Sequence, residues 1–350
     1  NMGGNPFGGD PFDIFASMFG GGQAQRRAPD KVMELKIGAV DSFLGKELVH
    51  NFFRKKDLQH NEAMYNKLGL KKKYYSPVNS NDFENLPQET PWLDKEDSKV
   101  VLPNNQQFQA LPANIQNELI NYSNKGYAIL SGFFDAQIID KINAEIDSLV
   151  AEGKANWRYN NSKIMFAIHE SPFLKSIGKN EQLNKILSLL LGKKSKLFQS
   201  INFLYGSEQK THSDSVHMTT YPLGYMIAVW VALEDISEDQ GPLHYYPGSH
   251  KLPYVMNKDY NNEGNQFLVG DKLYYDYEDK IEEIIKDKNL QKETFLAKKG
   301  DVLIWHANLM HGGNKHVDKS KTRKSMVFHY FSENVVSYHE FTQRPALIKE

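Results

Sequence analysis

The chain has 350 residues, 40% hydrophobic and 12% aromatic, which is enough apolar material for a folded core and excludes disorder throughout. Lys and Arg number 42 against 43 Asp and Glu, and the formal charge of -1 gives no global field that would attract nucleic acid or anionic lipid. Cysteine is absent, which excludes disulfides, thiolate metal sites and a cysteine nucleophile. These properties favour a small-molecule substrate over a nucleic acid or a membrane, and they leave the oligomeric state open.

Residues 1–41 are expected to form a flexible arm. The first 30 are dominated by Gly, Phe and polar side chains, a composition that buries too little apolar surface to order itself alone. Residues 1–37 weakly resemble the Gly/Phe-rich region of J-domain co-chaperones, without the J domain itself. The arm lacks the apolar run of a signal peptide, and no segment reaches the roughly 20 apolar residues of a membrane helix. We therefore expect a soluble, cytoplasmic protein.

Residues 42–108 are expected to form an irregular N-terminal arm that wraps the main domain. The segment is polar and rich in Lys and Asn, and prolines interrupt any long helix. The main domain is then predicted to comprise residues 109–350. The interrupting prolines are Pro77, Pro87, Pro91 and Pro103.

The first half of this main domain shows helical periodicity around one strand. Asp135 can cap a helix whose isoleucines recur at helical spacing, which gives one apolar face for packing on a sheet. Gly192 is a suitable residue to end a second apolar helix. The predicted elements are helices at Ile115–Ser123, after Asp135 and at Leu183–Leu191, and a strand at Tyr127–Gly132.

Beyond residue 194 the sequence is rich in the β-branched and aromatic residues that strands prefer. Because Gly and Pro turns separate these segments, they predict a double-sheet jelly roll. The expected fold class is α+β, mainly β, with flanking N-terminal helices. The predicted strands are Leu197–Tyr205, Tyr225–Leu233, Val302–Trp305 and Ser325–Phe331, interrupted by one helix near Asp279–Lys288.

An H-x-D pair, His212-Ser-Asp214, can supply two ligands of a 2-His-1-carboxylate site for octahedral iron(II). In a strand, residues i and i+2 point to the same side, so both side chains could converge on one ion. The pair alone is a weak signal, because His316-Val-Asp318 repeats it and His60-Asn-Glu62 comes close. The surrounding motifs must decide between them.

Several motifs follow His212 in a fixed order, and in that order they resemble the phytanoyl-CoA dioxygenase family over roughly Gly126 to Phe331. The resemblance implies a double-stranded β-helix fold and an Fe(II)- and 2-oxoglutarate-dependent oxygenase. The motifs are His212-Ser-Asp214, Trp230 to Asp235, Gly241 to His250, Gly300 to Trp305, His311-Gly-Gly-Asn314 and Arg323-Lys-Ser325.

The resemblance implies that His212, Asp214 and His311 are the metal ligands. His306 competes with His311 for the last position. We prefer His311 because the family's distal histidine is followed by small residues and an Asn, whereas His306 continues a strand.

Arg323 is the candidate for holding the distal carboxylate of 2-oxoglutarate. It follows His311 by 12 residues at the start of a strand, and its fork suits a carboxylate. Ser325 would add a hydroxyl from the same strand face. The alternative is a surface arginine in the basic run 319–324. The resemblance also places Trp230 and Gln199 beside the co-substrate, although Trp230 could equally be core.

Other pocket candidates carry a weaker signal. His217 could meet substrate or be a hydrogen-bonded wall histidine, and His250 is expected to be structural because its Pro-Gly neighbours set a turn. The remaining candidates, with core packing as the default for the tyrosines, are His244, Tyr221, Tyr225 and Tyr246.

The implied reaction consumes O2 and 2-oxoglutarate, releases succinate and CO2, and hydroxylates an unidentified small organic substrate. Halogenating relatives replace the metal-binding carboxylate with a small residue, so Asp214 favours hydroxylation, with desaturation or ring closure left open. Two alternatives remain: a cupin-like metal enzyme that does not use 2-oxoglutarate, and a non-catalytic jelly-roll binding protein. Arg323 discriminates against the first of them, and the complete ligand set with Arg323 against the second.

Overall fold

The structure, a computed structural model, describes residues 53–158, 163–262, 272 and 274–347. The flexible arm predicted for residues 1–41 lies outside the described residues. No helix in the described ranges combines the length and the apolar character needed to cross a bilayer.

Helices precede most of the strands. The predicted cap of the longest helix is present, because the Asp135 carboxylate accepts a hydrogen bond from the Ile138 backbone N–H at 2.8 Å. The α-helices of the described ranges are α1 (Lys55–Leu58), α2 (Glu62–Leu68), α3 (Trp92–Lys95), α4 (Ser98–Val101), α5 (Gln106–Gln109), α6 (Ala113–Leu119), α7 (Tyr122–Lys125), α8 (Ala136–Ala151), α9 (Ala167–Glu170), α10 (Pro172–Gly178), α11 (Glu181–Leu191) and α12 (Tyr274–Asp287).

The strands of the described ranges pair antiparallel throughout. They form a seven-stranded sheet of order β1-β9-β6-β11-β4-β3-β2 and two three-stranded sheets, β10-β7-β8 and β13-β12-β5. The strands are β1 (Tyr127–Leu130), β2 (Trp157–Arg158), β3 (Lys163–Met165), β4 (Ser195–Phe203), β5 (Thr219–Tyr221), β6 (Met226–Ala232), β7 (Leu243–Tyr245), β8 (Glu293–Phe295), β9 (Val302–His306), β10 (His311–Gly313), β11 (Ser325–Ser332), β12 (Val336–His339) and β13 (Arg344–Pro345). The mixed architecture of helices and antiparallel sheets is confirmed.

The large sheet is apolar on both faces, and its two faces serve different neighbours. Alternate residues of β6, such as Val229 and Val231, pack with the helices in the main core. The intervening residues, such as Ala228 and Trp230, face the other way and pack with Val327 of β11 in a second core cluster. This second face forms one wall of the cavity described below.

The described part of the polar segment before residue 109 contains only short helices, and it is anchored to the rest of the chain at two points. Glu340 is buried and accepts hydrogen bonds from the Ser80 backbone N–H at 2.9 Å and from its hydroxyl at 2.7 Å. The Trp92 indole donates to the Leu189 carbonyl at 2.8 Å. Burying a carboxylate costs free energy unless hydrogen bonds satisfy it, so Ser80 is a specific anchor.

Two helices differ from their sequence-based expectation. The helix expected at Ile115–Ser123 is two helices, α6 and α7, and α7 ends at Gly126 in the left-handed conformation. The helix expected near Asp279–Lys288 begins at Tyr274, because Tyr274 and Tyr277 are buried in a tyrosine-rich cluster that extends the apolar face backwards. For α12, it is burial in this cluster, which local pattern does not reveal, that extends the helix.

Gly300, just before β9, shows how closely the β1–α8 loop packs on the sheet. Its φ is +90°, and a Cβ there would lie 2.1 Å from the Phe134 carbonyl oxygen.

We expect Gly300→Ala to lower the free energy of unfolding by about 1–2 kcal/mol because of the backbone conformation. The steric overlap of the new Cβ should lower it by about 1–3 kcal/mol more. Urea unfolding followed by circular dichroism would measure this. Gly132→Ala is the matched control, since Gly132 also has positive φ but open space around it; equal losses would contradict the expectation.

Candidate active site

A cavity of about 120 Å³ lies between the second face of the large sheet and strand β10. Its walls include all three histidine and carboxylate side chains expected to bind metal, together with Arg323, Trp230 and Gln199. The residues predicted from the motifs therefore meet in one place, although they span more than a hundred positions of sequence.

A pair of backbone hydrogen bonds brings the two candidate ligand histidines together. The His212 N–H donates to the His311 carbonyl, and the His311 N–H donates to the His212 carbonyl, both at 2.9 Å. This isolated antiparallel bridge places the imidazole ring centroids 4.5 Å apart. The close approach of the two segments is also why a small residue follows His311: a Cβ on Gly312 would lie 2.8 Å from the Gln209 carbonyl oxygen.

Both imidazoles are held by their Nδ1 atoms. Nδ1 of His212 lies 2.9 Å from the Lys210 carbonyl oxygen, and Nδ1 of His311 lies 2.9 Å from the Leu309 carbonyl oxygen. Because a carbonyl only accepts, each Nδ1 must carry the proton and donate it. The Nε2 atoms therefore carry the lone pairs and lie 3.9 and 3.8 Å from Asp214 Oδ1. The Nε2 of His212 also lies 3.2 Å from the side-chain nitrogen of Gln209, which can donate to it.

Asp214 lies at the start of a 3₁₀ turn, Asp214–Val216. The premise that His212 and Asp214 share a regular strand is wrong, because the chain turns after the His212 bridge. The carboxylate reaches the histidines nonetheless, and its second oxygen, Oδ2, accepts a 2.8 Å hydrogen bond from the Trp305 indole N–H.

Electrostatics favours the metal-binding forms of His212 and Asp214. Burial, with the neighbouring His311, lowers the pKa of His212 to about 3, so the imidazole is neutral at physiological pH. Burial raises the pKa of Asp214, but the three nearby histidines and the Trp305 hydrogen bond outweigh this and hold it below its usual value. A neutral His212 imidazole beside an ionised Asp214 carboxylate is the result.

The ligand atoms of His212, Asp214 and His311 lie within 4.8 Å of one another, and in the described part of the chain no other group of three such side chains does so. The structure separates the competitors from this group. Nε2 of His306 lies 3.2 Å from Asp94 Oδ2, away from the cavity. His316 is buried beside the Gly206 backbone.

Arg323 is buried in the cavity wall, with 2% of its surface exposed. It is not a surface arginine. Its Nη1 donates to the Ser325 hydroxyl at 2.8 Å, and its guanidinium carbon lies 5.2 Å from the Phe203 ring centroid. Among the described residues, Nε has no hydrogen-bond partner and no carboxylate lies within 4 Å of the guanidinium. Burial lowers its pKa to about 10, so it remains charged at neutral pH.

Ser325, Trp230 and Gln199 hold different positions around this arginine. Ser325 accepts the Arg323 hydrogen bond and does not line the cavity. The Trp230 ring lies 5.9 Å from the guanidinium carbon. Gln199 lies further along the sheet, with its side-chain nitrogen 3.5 Å from His329 Nδ1.

Lys163 and His329 line the cavity, and motif reasoning missed both. Lys163 Nζ donates to Gln209 Oε1 at 3.2 Å, and burial together with the Arg323 charge lowers its pKa to about 8. His329 Nε2 lies 3.9 Å from Asp214 Oδ2, and burial lowers its pKa to about 4. The alternation of β11 could have indicated His329, because it lies on the same strand face as Val327; no local signal marks Lys163.

Of the weaker pocket candidates, only His217 lies in the cavity wall. His217 lines the cavity, and its Nε2 lies 2.9 Å from the Tyr274 hydroxyl. His250 is structural as expected, with Nε2 3.2 Å from the Ser123 carbonyl oxygen. The remaining candidates lie outside the cavity wall: His244, Tyr221, Tyr225 and Tyr246.

Comparison with protein families decides the family. The model of the phytanoyl-CoA dioxygenase (PhyH) family matches residues 122–325, which is more than half of the chain. This chain belongs to the phytanoyl-CoA dioxygenase family. Membership confirms the prediction of a non-haem iron oxygenase that depends on 2-oxoglutarate.

Curated relatives agree with this assignment. Phytanoyl-CoA dioxygenase domain-containing protein 1 of Danio rerio is 26% identical over 236 residues, which cover 63% of this chain and 73% of the relative. The protein of the same name from Rattus norvegicus is 24% identical over 225 residues, covering 61% and 70%.

Solved structures share the fold at low identity. The carbocyclase SnoK of nogalamycin biosynthesis has a TM-score of 0.53 and 14% identity, covering 69% of this chain and 94% of that one. The epimerase SnoN of the same biosynthesis has a TM-score of 0.51 and 20% identity, covering 65% and 86%. The EctD apoform from S. alaskensis has a TM-score of 0.50 and 20% identity, covering 69% and 84%. These likenesses show the fold of this family member.

The geometry makes a test of the third ligand possible. We expect His311→Ala to lose most of its affinity for a divalent metal, because one of three ligand atoms is removed. His306→Ala is the matched control and is expected to bind normally, since His306 pairs with Asp94 instead. Calorimetric titration with Fe(II) under anaerobic conditions measures both. Normal binding by His311→Ala together with lost binding by His306→Ala would mean that the wrong histidine was chosen.

Proposed function

We propose that this enzyme hydroxylates a small organic substrate, with 2-oxoglutarate converted to succinate and CO2. The observation that carries the proposal is the buried, unpaired Arg323 in the same cavity as His212, Asp214 and His311. A buried cation without a carboxylate partner is costly, so it is expected where an anionic ligand is to be bound.

The donor set fits iron(II). Two neutral imidazoles and one carboxylate with open positions are typical of iron(II) oxygenases. The Nδ1 hydrogen bonds to backbone carbonyls fix each imidazole so that its Nε2 carries the lone pair. The Gln209 amide beside the His212 Nε2 would have to move aside for the metal. We propose that His212, Asp214 and His311 hold the metal through one atom each.

The cationic end of the cavity fits 2-oxoglutarate, a dianion. Arg323 offers a guanidinium fork, and Ser325 holds that fork by accepting from Nη1. Lys163 adds a second positive charge, close enough that each cation disfavours the other. We propose that Arg323 and Lys163 bind the distal carboxylate, with Ser325 holding the guanidinium in place. A cupin-like enzyme that does not use 2-oxoglutarate would have no need for these two cations in the cavity wall.

The protein's own contribution is position and exclusion of water. When bound, iron(II) and 2-oxoglutarate supply the activation of O2 and the oxidising equivalents that hydroxylate the substrate. The aromatic rings of Phe203 and Trp230 lie beside the guanidinium of Arg323. They would exclude water from the proposed salt bridge between Arg323 and the distal carboxylate of 2-oxoglutarate, and so strengthen it. Asp214 occupies the place that halogenating relatives leave to a halide, which supports hydroxylation.

Relatives of the same fold support the chemistry and widen the range of substrates. The SnoN structure contains Fe3+, alpha-ketoglutarate and nogalamycin RO, and one EctD structure contains 2-oxoglutarate and 5-hydroxyectoine. Because these molecules differ so much, the family name does not identify the substrate of this chain.

We further propose that the antiparallel sheets form a double-stranded β-helix and that residues 109–350 are the oxygenase domain. The two sheets that face each other across the cavity support this arrangement. Residues 42–108 would then be an accessory arm, of which the part from Phe53 onwards is described and is fastened by Ser80 and Trp92.

The proposed role of Arg323 predicts that its loss weakens 2-oxoglutarate binding without weakening iron binding. Anaerobic Fe(II) protein with 2-oxoglutarate should show the weak visible charge-transfer band of the chelate. Arg323→Ala should still bind iron but need much more 2-oxoglutarate, a loss of about 2–5 kcal/mol, because the distal carboxylate is stranded without its charge partner. Titration of the band measures this. Lys324→Ala is the control, since Lys324 is the adjacent residue and lies outside the cavity wall.

Lys163 predicts a pH dependence of 2-oxoglutarate binding. Its pKa of about 8 means that it loses its proton between about pH 7 and pH 9. Because a bound dianion favours the charged amine, the affinity should fall as the pH rises through this range. Lys163→Met should bind more weakly at pH 7 and show a flatter profile, measured by the same band. An equally steep profile in Lys163→Met would assign the effect to another group.

A further inference from the structure

Trp305 touches two of the three proposed metal ligands. Its indole N–H donates to Asp214 Oδ2 at 2.8 Å, and its ring lies 4.7 Å from the His311 ring at an angle of 47°. It is 2% exposed and lies near the end of β9. Trp305 ends the Gly300–Trp305 motif, but the motif gave it no role, and its place in the strand Val302–His306 would suggest ordinary core packing.

The two oxygens of Asp214 face different groups. Oδ1 lies 3.9 Å from His212 Nε2 and 3.8 Å from His311 Nε2, which are the proposed ligand atoms. Oδ2 receives the Trp305 N–H and lies 3.9 Å from His329 Nε2. The carboxylate is thus turned so that one oxygen faces the metal ligands and the other is held by the indole.

Resting on the proposed function, we infer that Trp305 is a positioning residue that commits Asp214 to offer a single oxygen to the metal. The terminal torsion of an aspartate has a broad minimum, so a carboxylate without such a bond turns easily. A carboxylate that offered both oxygens would occupy a coordination position that a chelating co-substrate and O2 require. The hydrogen bond therefore protects the number of open positions.

The sheet is built to place this indole. The cross-strand partner of Trp305 on β6 is Ala228, whose small side chain leaves room for the ring, and its partner on β1 is Tyr127. An indole N–H only donates, and burying it costs free energy unless an acceptor is present. A purely structural account would hold that Asp214 merely satisfies this donor. The two accounts differ in whether loss of this hydrogen bond should change metal affinity and coordination.

The test uses cobalt(II) alone as the probe, because its visible spectrum reports coordination number. Trp305→Phe keeps a ring beside His311 but removes the N–H. We expect its cobalt affinity to fall by about 10-fold to 100-fold and its visible bands to change. Trp305→His, which retains an N–H donor, should recover part of both. The matched control is Trp92→Phe, which removes an indole hydrogen bond of the same 2.8 Å length outside the cavity and should leave both unchanged.

Wild-type affinity and an unchanged spectrum in Trp305→Phe would overturn the inference while leaving the proposed function intact. If the wild-type protein itself binds no cobalt, the metal site fails and the inference fails with it. Metal-free circular dichroism checks that the variants fold.

Should Trp305→Phe not fold, the wild-type protein still decides the question. The chain has four tryptophans, and ¹⁵N-labelled indole signals of Trp92→Phe, Trp157→Phe and Trp230→Phe assign the Trp305 signal by elimination. Zinc(II) should shift that signal more than the other three. An unmoved Trp305 signal in protein that binds zinc would overturn the inference.

Discussion

The paired backbone hydrogen bonds between His212 and His311 are the constraint on which the candidate site depends. They join two segments that are distant in sequence, and they fix the main chain at both histidines at once. With the backbone fixed, the Lys210 and Leu309 carbonyls can orient the two imidazoles, and the turn after His212 can bring Asp214 beneath them. Side-chain geometry here follows from main-chain pairing, which is more rigid than any contact between side chains.

The sequence predicted the site where a motif and its strand context agree. His212, Asp214, His311 and Arg323 were found because their motifs occur in one order, and the sheet brings them to one cavity. The choice of His311 over His306 followed from the glycines behind it, and close packing of Gly312 against the Gln209 backbone supplies the physical reason. The helix capped by Asp135 was readable because its signals are local.

The remainder depends on contacts that no local pattern records. Lys163 follows a short hairpin strand and reaches the cavity only because β3 pairs with the end of β4. The sequence around Trp305 indicates a core residue, and only the folded structure shows that its indole donates to Asp214. The expectation that His212 and Asp214 share a strand came from treating the H-x-D spacing as regular, whereas a 3₁₀ turn brings the carboxylate to the same place by another route.

The buried charge of Arg323, with no carboxylate within ion-pair distance in the described part of the chain, also affects how the purified protein would behave. Burial disfavours the charged forms of Arg323 and Lys163, and the Arg323 charge disfavours that of Lys163 further, so an anion bound between them would stabilise the folded protein. A ligand that binds only the folded state adds about 2.7 kcal/mol of stability at a hundred times its dissociation constant. Small dicarboxylates in a buffer, such as malonate or tartrate, would then compete for the same charges. The melting temperature of this oxygenase is therefore a property of the protein and its buffer together.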